Sequence, residues 1–134
     1  MPIWIGLGVA VAVALFARLS GLDRDRAFYP TVLIVVGHYY VLFAVMAGGG
    51  TELWTELAGF VLFAAAAAIG FRASLWLVVA GLAGHGIFDV TRASLLAGRG
   101  VPEYWPGFCL GFDVMAAAVL AAFLLLGKIR STPA

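Results

Sequence analysis

What this sequence has least of is charge. Only 11% of its 134 residues are Asp, Glu, Lys or Arg, against about a quarter in soluble domains. A soluble chain this short must cover its surface with polar groups, and too few are present to do so. Cysteine is nearly absent as well. Cys109 stands alone, which excludes an intramolecular disulfide and any multi-Cys zinc motif. No long polar stretch interrupts the chain, so there is no room for an extramembrane domain. A net charge of +1 leaves no electrostatic footprint for nucleic acid. The opening residues Met1-Pro2-Ile3-Trp4 lack the basic start of a cleavable signal peptide, and the first apolar segment is expected to be retained.

What is abundant is apolar sequence: 64% of residues are hydrophobic and the mean hydropathy is +1.08. The bilayer is the expected solvent and the expected partner. Crossing about 30 Å of hydrocarbon takes about 20 apolar residues in a helix. Five segments qualify, at 2–17, 27–47, 51–70, 73–97 and 106–127. The breakers between them are Gly48-Gly49-Gly50, Gly70 with Arg72, and Gly98-Arg99-Gly100-Val101-Pro102. Pro30 and Pro106 fall in first helical turns, where proline is tolerated. The chain reads as one all-α domain over 1–134, a polytopic bundle of five transmembrane helices.

Orientation follows from the basic residues of the short loops. One side carries Arg18, Arg24, Arg26, Arg72, Lys128 and Arg130, the other Arg92 and Arg99. The first side is expected in the cytoplasm, with the N-terminus outside and the C-terminus inside. Tyr104, Trp105, Trp54 and Trp4 then gather near the outer interface, where amphipathic rings settle. Five spans do not divide into two equal inverted halves, and no internal repeat is visible, which weighs against the common transporter plan.

Ionisable residues within a span are expensive and usually face the bundle interior. Counted inward from the outer boundary at about 1.5 Å per residue, Glu56 lies roughly 6 Å deep, Asp89 and Asp113 roughly 10 Å, His38 roughly 14 Å and His85 roughly 18 Å. The inner half is Val, Leu, Ala and Phe. Glu52 and Glu56 share a helix face by i,i+4 spacing; so do His85 and Asp89, with Arg92 one turn on, and Cys109 and Asp113. The second helix adds His38 beside Tyr39 and Tyr40. If these stripes converge, they line a polar pocket open to the outside.

Such a pocket has several readings. As a metal site, its candidate ligands are His38, Glu56, His85, Asp89 and Asp113, donors suited to Zn²⁺, Fe²⁺ or Mn²⁺. A metal with an open position can activate water or support redox chemistry on a lipid, so a membrane-embedded enzyme is one expectation. Asp, Glu and His also make proton relays, the basis for a small ion- or proton-coupled transporter or channel, although nothing ionisable continues toward the cytoplasm. The blandest alternative is helix packing in a non-catalytic assembly subunit, with Asp89–Arg92 or Asp113–His85 as satisfied pairs. Gly107-x-x-x-Gly111, the glycines Gly81, Gly84 and Gly86, and the alanines 64–68 allow close helix approach, within the chain or in a homo-oligomer. Cys109 reads as a small buried hydrophobe near a helix start.

The stretches RAFYPTVLIVVGHYYVLFAVMAG (26–48) and HGIFDVTRASLLAGRGVPEYWPGFCLGFDV (85–114) resemble segments of a group of small bacterial multi-span membrane proteins with no assigned activity. The resemblance implies a bacterial inner membrane and transfers no site residue. The histidine pairs of membrane desaturases are missing.

Overall fold

In the computed structural model, which describes residues 1–95 and 100–134, the chain is all-helical. Five helices follow one another: α1 (Pro2–Ser20), α2 (Phe28–Met46), α3 (Thr51–Arg72), α4 (Trp76–Leu95) and α5 (Trp105–Leu125). α1 runs past Arg18 and stops at Gly21, whose left-handed φ of 81° closes the helix as glycine does best. α3 continues through Gly70 to Arg72. Gly70 is therefore a contact rather than the expected breaker: a Cβ there would sit 2.7 Å from Val78 Cγ2 on α4. α4 starts at Trp76, three residues later than Ala73, after a turn in which Ser74 Oγ accepts from the Trp76 amide at 3.4 Å. The expected end of the fourth span at Ala97, and the residues Gly98 and Arg99, lie outside the described residues.

α1, α2, α3 and α5 are long and apolar enough to cross a membrane; α4 falls short of that measure. The reason is its cargo. His85, Asp89, Thr91, Arg92 and Ser94 lower its hydropathy, and α4 is packed against α2, α3 and α5. Its buried residues Val78, Gly81, Leu82, His85, Gly86, Asp89 and Arg92 form one stripe at three- and four-residue spacing. Its exposed side chains include Ile87, Val90 and Leu95. Polar groups inside and apolar groups outside invert the pattern of a water-soluble helix.

α1 lies on α5, and the sequence there is built for close approach. The buried residues of α1 are Gly6, Ala10, Ala14 and Ala17, all small and all on one face. A Cβ at Gly6 would collide with the Phe108 carbonyl, and one at Gly111 with the Ile3 carbonyl. The Gly107/Gly111 stripe is thus occupied by α1 of the same chain. The pairing of Ile3 with Gly111, and of Arg18 with Phe123, makes α1 and α5 parallel.

The two ends of the bundle differ. At one end, Arg18 Nη1 donates to Asp23 Oδ2 at 3.0 Å and its guanidinium lies 4.7 Å from the Phe123 ring centroid. Arg26 donates to the carbonyls of Arg130 and Ser131, and the Leu75 amide to Ser131 O at 2.8 Å. The α1–α2 turn, the α3–α4 turn and the C-terminal segment meet there. At the other end, Trp105 meets the rings of Tyr39 and Phe43 edge-on.

Candidate functional site

The stripe on α4 carries the chemistry inward at one level. His85 and Asp89 are one turn apart, and Asp113 meets them from α5. Gly86 makes this possible, since a Cβ at that position would already touch Asp113 Cβ and Leu110 Cδ1, each at 3.4 Å. His85 Nδ1 shares a 2.7 Å hydrogen bond with Asp113 Oδ2 and stands 3.5 Å from Asp89 Oδ2. The three residues are sealed, with side-chain exposures of 1% for His85 and 0% for both aspartates. One donor atom from each lies within 4.8 Å of the others, close enough to hold a metal ion.

Their bonding is incomplete. Among the described residues, neither oxygen of Asp89 has a hydrogen-bond partner, and Asp113 Oδ1 and the Tyr40 hydroxyl are equally orphaned. Tyr40 and Cys109 lie close enough to be hydrogen-bonding neighbours of Asp89, but their geometry leaves both of its oxygens without a well-formed bond. Buried polar groups are nearly always paired, so a carboxylate with both oxygens vacant calls for a reason. With both aspartates ionised, even a protonated His85 leaves the group with net negative charge, and an uncompensated charge in a low-dielectric interior is costly.

The walls are aromatic and aliphatic. The imidazole meets the Phe63 ring edge-on, centroids 4.7 Å apart, with Phe88 and Tyr40 beyond. On the side away from Asp89, fully buried Leu33, Val78, Leu82 and Leu120 fill the core. The expected pocket open to the outside is instead a closed polar centre.

Glu56 and His38 are placed apart from it. Glu56, on α3, is held by Arg92: Arg92 Nε donates to Glu56 Oε1 at 2.8 Å and Nη2 donates to the same oxygen. The guanidinium of Arg92 also lies 4.4 Å from the Tyr40 ring centroid. Arg92 is thus buried with Glu56 rather than pairing with Asp89. His38 sits on the flank of α2, whose buried stripe is Leu33, Val36, Gly37, Tyr40 and Ala44. Its Nδ1 lies 2.6 Å from the Val35 carbonyl, and its ring packs beside Tyr39. Depth alone does not fix direction around a helix. Tyr40, rather than its neighbour His38, is the residue of α2 that reaches the centre, and its place seven residues after Leu33 on the buried stripe was the available signal. Gly84, expected to allow close helix approach, faces nothing within 4 Å.

Cys109 is buried between two environments. On one side are Asp89 and Asp113; on the other is a cleft of about 420 Å³ between α1, α2 and α5, lined by residues such as Val9, Val13, Val32, Val36, Phe108 and Phe112. The cleft is apolar, unlike the polar lining expected from the sequence. No protein-family model matches the chain, and neither a curated protein nor a solved structure is significantly similar to it.

Proposed function

We propose that this chain is a five-span protein of the bacterial inner membrane, N-terminus outside and C-terminus in the cytoplasm, that binds a divalent transition-metal cation at His85, Asp89 and Asp113. The observation that carries the reading is the carboxylate of Asp89, neither oxygen of which makes a well-formed hydrogen bond among the described residues, beside an imidazole and a second carboxylate. One nitrogen and several carboxylate oxygens suit Zn²⁺, Fe²⁺ or Mn²⁺. A divalent ion would neutralise the two aspartates and fill the vacant lone pairs in one step. Passage through the bundle is disfavoured as a second reading by the apolar core below His85. The membrane assignment of α4 is supported by its position among four apolar helices.

The test is elemental analysis of the detergent-purified protein, followed by equilibrium binding of Mn²⁺ and Zn²⁺. About one equivalent of metal per chain, lost in Asp89→Asn, is the expected result. A chain that carries none and binds neither ion is not a metal protein.

A further inference from the structure

Resting on the reading of His85, Asp89 and Asp113 as a cation site, we propose that the Glu56–Arg92 ion pair, seated on the ring of Tyr40, is the gate through which an aqueous cation reaches that site. Three features of the molecule converge on this. The first is the lack of another polar route among the described residues around the centre. Below His85 the core is Leu33, Val78, Leu82 and Leu120. Beside it, the cleft that approaches Cys109 is apolar, and a bare cation does not cross such a lining.

The second is the order of groups along α4. His85, Asp89 and Arg92 succeed one another at one-turn intervals on the same buried stripe. Arg92 reaches across to Glu56 of α3 and lies over the Tyr40 ring of α2. That ring in turn lies 6.5 Å from the imidazole of His85. Three helices therefore contribute one group each to a single layer over the site. The third is that the layer is shut, Glu56 being 4% and Arg92 8% exposed, while the carboxylate of Asp89 beneath it makes no well-formed hydrogen bond among the described residues. A buried site that exchanges its ion needs an element that opens. A salt bridge between two helices is such an element, because each side chain can exchange its partner for water.

Cys109 reports on the opening, since it is the only cysteine and abuts Asp89. The experiment measures the rate at which a permanently charged methanethiosulfonate labels Cys109 in the full chain, reconstituted in vesicles without metal. The wild type should react slowly. Glu56→Gln should react faster by about tenfold or more, as reactivity tracks the population of the open form. The charge-swapped Glu56→Arg/Arg92→Glu protein restores the pair and should return to slow labelling, which separates gating from general loosening. An unchanged rate in Glu56→Gln, or a swapped protein that stays as fast as the single variant, overturns the gate. Should Glu56→Gln fail to fold, the swapped protein is compared with Glu56→Gln/Arg92→Gln, which must label faster for the gate to stand. Repeating the measurement with Mn²⁺ or Zn²⁺ tests the site itself. Acceleration by Glu56→Gln without protection by either ion supports the gate and counts against the metal reading alone.

Discussion

The two aspartates of the centre are chemically alike but differently held, and substitution should distinguish them. Asp113 has one oxygen in a 2.7 Å bond to His85, whereas Asp89 has neither oxygen bonded among the described residues. Asp89→Asn removes a buried charge that no well-formed hydrogen bond supports among the described residues, so metal should be lost while resistance to thermal or SDS unfolding holds or rises. Asp113→Asn should lose metal too, and in addition about 1.5–3 kcal/mol from the charge-assisted bond to His85. Equal stability losses in both, with metal retained, would remove them from the site. Glu56→Gln should behave in the opposite way, keeping its metal but losing about 3–5 kcal/mol because Arg92 is left buried without its partner; an unfolding titration checks it. The grouping of His85, Asp89 and Asp113 was legible from i,i+4 spacing and shared depth. The direction of His38 was not, because α2 is apolar nearly all round and offers no polar face to orient it. Nor was the choice of Glu56 by Arg92, since Asp89 and Glu56 are both within reach on sequence spacing and only the packing of α3 on α4 decides.

Among the elements, the pairing of α1 with α5 depends on missing atoms more than on attractive groups. Helices in lipid gain nothing from hiding apolar surface from each other, so they associate through close packing. Gly6 and Gly111 let the two backbones touch. Gly111→Val must push α1 away or distort α5, and should cost more than the ordinary 1–3 kcal/mol of overpacking, roughly. Gly84→Ala is the control, because nothing lies within 4 Å of a Cβ there, and a helical Gly→Ala change is worth up to about 1 kcal/mol in favour. Unfolding of both variants, read by SDS titration, should therefore move in opposite directions. The helices themselves were readable in the sequence from hydropathy and the glycine triplet 48–50. Their ends were less so: Gly70 reads as a breaker in one dimension, and only the arrival of Val78 from α4 explains why a helix keeps it.

For the whole molecule, the distribution of polarity and the distribution of positive charge point the same way. Buried Asp23, Glu56, His85, Asp89, Arg92 and Asp113 coexist with exposed Ile5, Leu15, Phe16, Leu62, Ile87 and Leu125. In water that arrangement would expose oil and bury charge; in a bilayer it puts each in its preferred medium. The alternation of helices brings Arg18, Arg24, Arg26, Arg72, Lys128 and Arg130 to one end, where the carbonyls of Arg130 and Ser131 tie the C-terminal segment to Arg26. In the proposed orientation this concentration of basic residues in short connections faces the cytoplasm. A reporter fused after Ala134 should accordingly be active in the cytoplasm, and an epitope inserted at the exposed Glu103 should be reachable by antibody from outside intact spheroplasts. α4 is the helix on which the outcome turns, since its own hydropathy is marginal. If α4 failed to cross, α5 would either invert, bringing the C-terminus outside, or fail to cross as well, leaving both markers in the cytoplasm. The paired measurement separates these outcomes. With α4 across, Asp89 and Asp113 sit nearer the outer surface than the inner, and Glu56 and Arg92 stand between them and the water outside. A charged thiol reagent added only to the outer face should then reach Cys109 in Glu56→Gln, and the same reagent trapped on the inner face should not.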